Sequence, residues 1–533
     1  AHLPLRGFYC LVKNATSAAA CLFINPLLRR RKGQILFGCH HPEPAERALM
    51  EFRPLKTIND PVHGTIQVHS FAELIMDRPQ FQRLRHLKQL ALTDLVYPSA
   101  TKTRFEHSLG CDQRCSCSSR PCDKKQLRPI RAARRIAGLC HDLGHGPFSH
   151  LWESLLKSCG IDYHHEAMSV QVFQSIVTDI ASRQDQESME FSAFMDRCWR
   201  PNWTHKQLVC DLIRGGPGGD SERIPPEKQF LFEFVNNKRT GYDVDKLDYM
   251  NRDALSLGLP NRFDATRQLS LLRVLPCPGN RKLLVLRDKQ VLDYINLLIS
   301  RRMQHYLAYQ HVKSVAFEKV LQDALSAARR HLQAHRDDPD VNRLAIRYLL
   351  DEPESLESLL WLTDDRLVEL LKQSCGSEAA RLMKHLEERR KYRHLASVRV
   401  ALHSTADDEA TAVYKNQLEA VKIAVTHWNA SRSRSIAELR KFDYGCGPQH
   451  PLDSVFCYSK NGEVRQCNGD GDSESLLFAD LQLAALHITV VRLYERTAGE
   501  PPADAAAVKE FRRREVADFR EKMSACGFKP TAE

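Results

Sequence analysis

Apolar residues recur at intervals of three and four along most of this chain. Phe71, Leu74 and Ile75, then Phe81, Leu84, Leu87 and Leu90, form two such stripes, the period of a helix that buries one face. The same spacing predicts helices over 130–143, 164–180, 229–236, 290–312, 316–334 and 355–393. Short strands are expected at Lys282–Leu286, at Ser397–Leu402 and around Ser454–Lys460. The run Gly215-Gly-Pro-Gly-Gly219 reads as a loop, because glycine and proline cannot sustain a helix. There is no internal repeat and no sustained heptad.

The pattern implies a mainly α protein. A helical core over 52–395 is followed by a smaller α+β lobe over 396–533, reached after the long charged helix expected to end near Arg393. Residues 1–51 stand apart as a basic extension. The first 42 residues hold no Asp or Glu and include Arg29-Arg30-Arg31-Lys32. Such a composition fits a transit peptide, a nuclear-import cluster or an extension outside the folded unit.

Composition narrows the classes. Hydrophobic residues at 43% and charged residues at 27% exclude wholesale disorder. No stretch approaches the ~20 consecutive apolar residues of a membrane-spanning helix, so no membrane partner is expected. A net charge of +11 favours a phosphate-rich ligand or nucleic acid. Seventeen cysteines, an odd and scattered set, read as reduced intracellular thiols. Cys111, Cys115, Cys117 and Cys122 cluster without the paired spacing of common zinc sites and are read as incidental thiols in an exposed loop.

The chemistry concentrates in Gly138-Leu-Cys-His141-Asp142-Leu-Gly144-His145-Gly146-Pro147-Phe-Ser-His150. A His–Asp pair at a helix end that Gly and Pro terminate offers an imidazole and a carboxylate at one point. That donor pair suits Fe, Mn, Zn, Co or Ni, while carboxylate oxygen alone suits Mg. Two residues cannot close such a site. Candidates for the rest are His107, in Arg104-Phe-Glu-His107-Ser-Leu-Gly110, and Asp245, in Asp243-Val-Asp245-Lys246-Leu-Asp248-Tyr249.

Arg104–Gly110, His141–His150, His164-His165-Glu166 and Asp243–Asp253 stand in the order of the HD-domain phosphohydrolases. More narrowly, the chain resembles the vertebrate sterile-alpha-motif and HD-domain-containing deoxynucleoside triphosphate triphosphohydrolases. Ile58–Gly64, Pro79–Arg85, Ala308–His311, Asp443–Gly445 and Ser459-Lys460 also carry the likeness, which covers roughly 53 to 500 and includes no sterile-alpha-motif domain.

The resemblance implies that His107, His141, Asp142 and Asp245 ligate a divalent metal, Zn or Fe, with Mg accompanying the nucleotide. It implies hydrolysis of a dNTP at the α-phosphorus to a deoxynucleoside and inorganic triphosphate. Such an activity would control dNTP pools, and with them viral reverse transcription and DNA replication and repair. The catalytic set would be His145, His150, His165 and Glu153, with His150 favoured as the acid that protonates the leaving oxygen and Glu153 orienting it. Arg104, Lys246 and Arg301 would bind phosphates, Gln89, Tyr249 and Asp253 the sugar, and Tyr309 would lie near the base. Packing Tyr249 where a 2′-hydroxyl would go selects deoxynucleotides.

The family is also assembled from dimer to tetramer by nucleotides bound between subunits. Asp77 and Gln82 would read a GTP or dGTP activator's guanine edge and Arg85 its phosphate. Lys56, Asn59, Arg267, Arg287, Lys289, His311 and Lys460 would surround the paired activators, the second of them a dNTP. Localisation is expected to be nuclear, with the cytosol as the other compartment. Two departures stand out. Gly110–Pro121 has Ser, Pro and charge where the family has an apolar helix, so a buried helix is not expected there. Val312, not Lys, follows His311, which weakens an activator contact. Two other readings fit parts of the chain: an HD enzyme of cyclic or signalling nucleotides, and a single-stranded nucleic-acid binder with a weakened HD site.

Overall fold

The computed structural model describes residues 54–117, 128–158, 160–200, 203–217, 225–335, 355–373, 375–402, 408–445, 450–467, 487–496 and 504–530. Residues 44–533 form one compact unit. The basic cluster Arg29–Lys32, the N-terminal extension and Cys122 lie outside the described residues. Among the described residues no helix is long and apolar enough to cross a membrane.

The fold is mainly helical, with small sheets. It opens on a hairpin of β1 (Pro54–Asp60) and β2 (Gly64–His69). The Asp60 carboxylate accepts from the amides of Val62 and His63, each at 2.9 Å, and Gly64 takes a φ of 68° to close the turn. The apolar stripes that follow are less regular than their spacing predicts. Helix Ser70–Met76 stops before Pro79, a single turn runs Pro79–Gln82, and a 3-10 turn covers Arg83–His86. Phe71, Ile75, Phe81, Leu84 and Leu87 are nonetheless buried. Proline ends the first helix while the burial pattern continues through it.

Two antiparallel-packed helices, α1 (Arg104–Cys117) and α2 (Arg128–Cys140), form the centre of the core. Here an expectation is corrected: residues 111–117 are helical, and Cys111 and Cys115 are fully buried. Thiols act as small hydrophobes, and the polar groups of this segment find partners inside the fold. Arg135 grips Asp112 with two hydrogen bonds of 2.7 Å, and Arg134 donates to the Cys115 carbonyl at 2.8 Å. The helices approach so closely that a Cβ at Gly138 would stand 3.0 Å from Cys115 Sγ.

Beyond these come α3 (His150–Ser158), α4 (His165–Ala181) and α5 (Val244–Leu257). The predicted helix over 229–236 is a 3-10 segment, Pro226–Glu233. The stretch expected as one helix over 290–312 is α6 (Val291–Gln304), a π turn His305–Tyr309, and the start of α7 (Val312–Ala334). The stretch 355–393 is likewise no single helix. Leu356–Trp361, α8 (Asp364–Gln373) and Ser377–Glu387 are separated by Leu362-Thr363 and by Gly376 at φ 86°.

The expected strands are present, as β4 (Arg281–Arg287), β5 (Arg393–Leu402) and β7 (Phe456–Tyr458). β4 pairs with β3 (Arg273–Cys277) and, in parallel, with β7, which also pairs with β8 (Val464–Gln466). β5 lies in an antiparallel sheet beside β9 (His487–Glu495), whose other edge holds β6 (Ser435–Asp443). Helices Asp408–Ser431 and Ala505–Ala525 pack on it through Trp428, Phe519 and Met523.

Candidate active site

The polar centre is assembled by α1, the turn after α2, and α5. Each imidazole there has one nitrogen committed. His107 Nδ1 lies 2.8 Å from Asp248 Oδ2, and His141 Nδ1 donates to the Gly138 carbonyl at 2.8 Å. Their Nε2 atoms therefore face the same carboxylates. His107 Nε2 is 3.0 Å from Asp245 and 3.6 Å from Asp142, while His141 Nε2 is 3.4 Å from Asp142 and 3.5 Å from Asp245. A carboxylate-backed imidazole with its free nitrogen turned inward is how metal-binding histidines are held.

The electrostatics agree. Burial pulls the His141 imidazole down, but Asp142 and Asp245 outweigh it and raise it to about 9. Burial likewise opposes, yet the hydrogen bonds of Asp245 and Asp248 raise His107. Asp142 is held well below the carboxylate range, against burial, by Arg104, His141 and His145. Positive charge is wanted at this point. His141 Nε2 is buried without a well-formed hydrogen bond, as are Arg104 Nη2 and Gln89 Oε1. Two imidazoles, two carboxylates and unpartnered polar atoms suit a divalent cation and an anionic ligand. Cys111 Sγ groups with His107, His141 and Asp245 as a potential donor. It stands 3.8 and 3.7 Å from the two nitrogens of the His107 ring.

A second cluster adjoins the first. His145 Nε2 is 3.3 Å from Asp142, and its ring stacks on His165 at 4.0 Å and meets His150 edge-on at 5.0 Å. Burial, Arg104 and His165 push His145 well below its ordinary range. Glu153 Oε2 lies 3.6 Å from His150 Nδ1 and 3.2 Å from His165 Nδ1, so it engages both rings and is nearer the second. The His150 side chain is 71% exposed, which leaves its other edge open to a ligand. The turn that delivers it is knitted by Ser169, which donates to the His141 carbonyl (2.6 Å) and accepts from Gly144 (2.8 Å). Glycine is required at 144, since a Cβ would lie 2.3 Å from the Ser169 nitrogen.

Among the predicted phosphate residues, Arg104 is buried, donating to Asp142 and, at 2.8 Å, to Ser149 Oγ. Lys246 Nζ is 3.0 Å from Asp243, and Arg301 donates to the Asp443 carbonyl at 3.1 Å. Tyr249 meets His107 edge-on at 6.4 Å. Asp253 accepts from the Tyr309 hydroxyl and pairs with Lys102, a buried lysine that sequence reasoning missed.

The predicted activator residues fall on separate elements. Asp77 ends helix Ser70–Met76, so it shares no continuous helix with Gln82 and Arg85. The Gln82 amide is engaged internally, donating to the Met76 carbonyl and accepting from Arg85, both at 2.7 Å. Lys56 pairs with Glu73 at 3.6 Å and Arg267 with Asp293, while Asn59 lies in β1. Arg287 faces Tyr458 across the parallel β4–β7 pair, with Lys289 and Lys460 just beyond those strands. His311 caps α7, accepting from the Lys313 amide at 3.2 Å, and Val312 packs on the core.

Asp248 is the most consequential residue missed. Fully buried, it binds His63, His107 and Arg252, and Arg252 continues to Asp60 at 2.7 Å. Its signal was present: Asp245, Asp248 and Arg252 fall at three- and four-residue intervals, on one face of α5.

A helical core that converges a His, a His–Asp pair and a distant Asp on one point defines an HD-domain protein. No family model matches the chain. Among curated proteins it is 32% identical to deoxynucleoside triphosphate triphosphohydrolase SAMHD1 of Gallus gallus over 433 residues, 76% of this chain and 67% of that protein. The SAMHD1 proteins of Danio rerio and Homo sapiens are each 31% identical, each over 77% of this chain and over 67% and 66% of their own lengths. The chain belongs to the SAMHD1 family of deoxynucleoside triphosphate triphosphohydrolases.

Proposed function

We propose that the chain hydrolyses deoxynucleoside triphosphates at the α-phosphorus, releasing a deoxynucleoside and inorganic triphosphate. The observation that carries this reading is the convergence of His107, His141, Asp142 and Asp245, beside a buried arginine with a spare donor. Those four residues would hold a divalent ion, Zn or Fe, which supplies charge at the α-phosphate and acidifies a bound water; Mg accompanies the nucleotide.

The chain's own groups do the rest. Arg104, fixed by Asp142 and Ser149, offers Nη2 to a phosphate oxygen, and Lys246 and Arg301 meet the remaining charge. His150, with its Nδ1 beside Glu153 and its outer edge exposed, delivers a proton to the departing 5′ oxygen. Glu153 also holds His165, which stacks on His145 and keeps the pair in place. Asp253, sharing its carboxylate with Tyr309 and Lys102, accepts from a 3′-hydroxyl, while the Tyr249 ring fills the space of a 2′-hydroxyl. Gln89 Oε1 faces the sugar and Tyr309 lies near the base. GTP or dGTP at Asp77, Gln82 and Arg85, with a dNTP beside Arg267, Arg287, Lys289 and Lys460, regulates the enzyme by binding between copies.

The double substitution His141→Ala with Asp142→Ala tests the centre. It should strip bound metal and abolish hydrolysis, because both donor types are removed. Retention of full metal content in the double variant would refute the assignment.

A further inference from the structure

Two irregular stretches carry the groups that must meet across the substrate: Leu87–Thr103, with Gln89, and Phe148–His150, which delivers His150. A third element holds them together. Asp364, in the first turn of α8, accepts from the Phe148 amide through Oδ1 at 2.7 Å and from the Lys88 amide through Oδ2 at 2.9 Å. The carboxylate is buried. Phe148 and Ser149 adopt φ values of 57° and 59°, left-handed conformations that L residues hold only when their surroundings enforce them. The clamp continues sideways: Ser149 Oγ donates to the Lys88 carbonyl and accepts from Arg104 Nε, each at 2.8 Å, and Arg104 reaches Asp142.

We infer that Asp364 is a positioning residue, a two-pronged acceptor that fixes the Gln89 stretch against the His150 turn while touching neither substrate nor metal ligand. Two amides need two acceptor oxygens. An asparagine would satisfy one and turn an NH2 group onto the other. The charges that face Asp364 are Lys88 and Arg83, the latter anchored on the Leu362 carbonyl at 2.9 Å, so the carboxylate has cations within reach in its buried setting.

The inference rests on the hydrolase reading and is separable from it. Asp364→Asn and Asp364→Glu are compared with the full wild-type chain for metal content, hydrogen exchange in peptides spanning Lys88 and Phe148, and kcat and KM on a dNTP. Asp364→Asn should keep its metal, exchange faster at those peptides and lose about ten-fold or more in kcat, with KM changed by less than about threefold. Asp364→Glu, which keeps two oxygens, should recover part of both. Wild-type exchange at the two peptides, or wild-type kcat in a metal-loaded Asp364→Asn protein, would overturn the inference. Should Asp364→Asn fail to fold, Asp364→Glu decides by the same two readouts against the wild type: faster exchange at both peptides with a partial loss of kcat supports the clamp, and wild-type exchange or wild-type kcat refutes it. A wild type that releases no triphosphate would sink the hydrolase reading, and the exchange data would still judge the clamp.

Discussion

His107 and His141 show how much of the site is decided by the atom that does not face it. Asp248 and the Gly138 carbonyl each occupy an Nδ1, and this fixes which nitrogen points at Asp142 and Asp245. Asp364 is a different kind of buried acid. Burial raises its carboxyl to about 6, against the two amide hydrogen bonds and the neighbouring Lys88 and Arg83. Because the folded value lies above the ordinary aspartate value, the protonated form favours folding. That contribution is complete below about pH 4 and is lost as pH rises through 6, on the order of 3 kcal/mol in all. Asp364→Asn removes the titration. Its urea midpoint should therefore fall less than the wild type's between pH 4.5 and 7, and parallel falls in the two proteins would contradict this account. The four proposed metal ligands were legible as candidates because a His–Asp pair and its outlying partners are unusual residue types at ordered positions. Asp364 was not, because it acts on residues far away in sequence and leaves no local pattern; the spacing of Asp248 to Asp245 and Arg252 marks a helix face but does not show that His63 and His107 lie against it.

At the scale of elements, α1 carries both chemistry and core, and its misreading is instructive. Ser, Cys and charge after Gly110 argued against a buried helix, yet the cysteines pack as apolar residues and Arg135 neutralises Asp112. Local composition cannot show that a partner helix will supply the counter-charge. Breaks were similarly hidden in 290–312 and 355–393, where apolar spacing runs on through a π turn and across Gly376. α1 meets α5 most tightly at Gly110, where a Cβ would lie 2.0 Å from Asp248 Oδ1 and 2.6 Å from Arg252 Nη2. Gly110→Ala must displace Asp248 and release His107 Nδ1. Metal affinity should fall roughly 10–100-fold in a chelator-competition titration, and an unchanged affinity would show that Asp248 does not hold the ligand in place.

In the whole molecule, the helical core and the C-terminal sheet were legible as fold classes, and β4, β5 and β7 as strands. The long β6 and β9 were not, since their partners lie far along the chain, and the β1–β2 hairpin was not read either, although its strands pair across the short turn between Asp60 and Gly64. The residues proposed to bind activators sit on separate elements, Asp77 and Arg85 near the start of the fold and Arg287 and Lys289 around β4. A nucleotide that prefers the assembled state must promote assembly by its difference in affinity. GTP with dATP should thus raise the sedimentation coefficient of the wild type to that of a tetramer, and Asp77→Ala should stay small with its metal retained. A wild type that remains small while hydrolysing dATP at full rate would refute the regulatory proposal. The central claim is attack at the α-phosphorus, and isotope placement tests it most directly. Hydrolysis of dGTP in water enriched in heavy oxygen should place the label in inorganic triphosphate and none in deoxyguanosine. Label in the nucleoside, or release of dGMP with pyrophosphate, would contradict it.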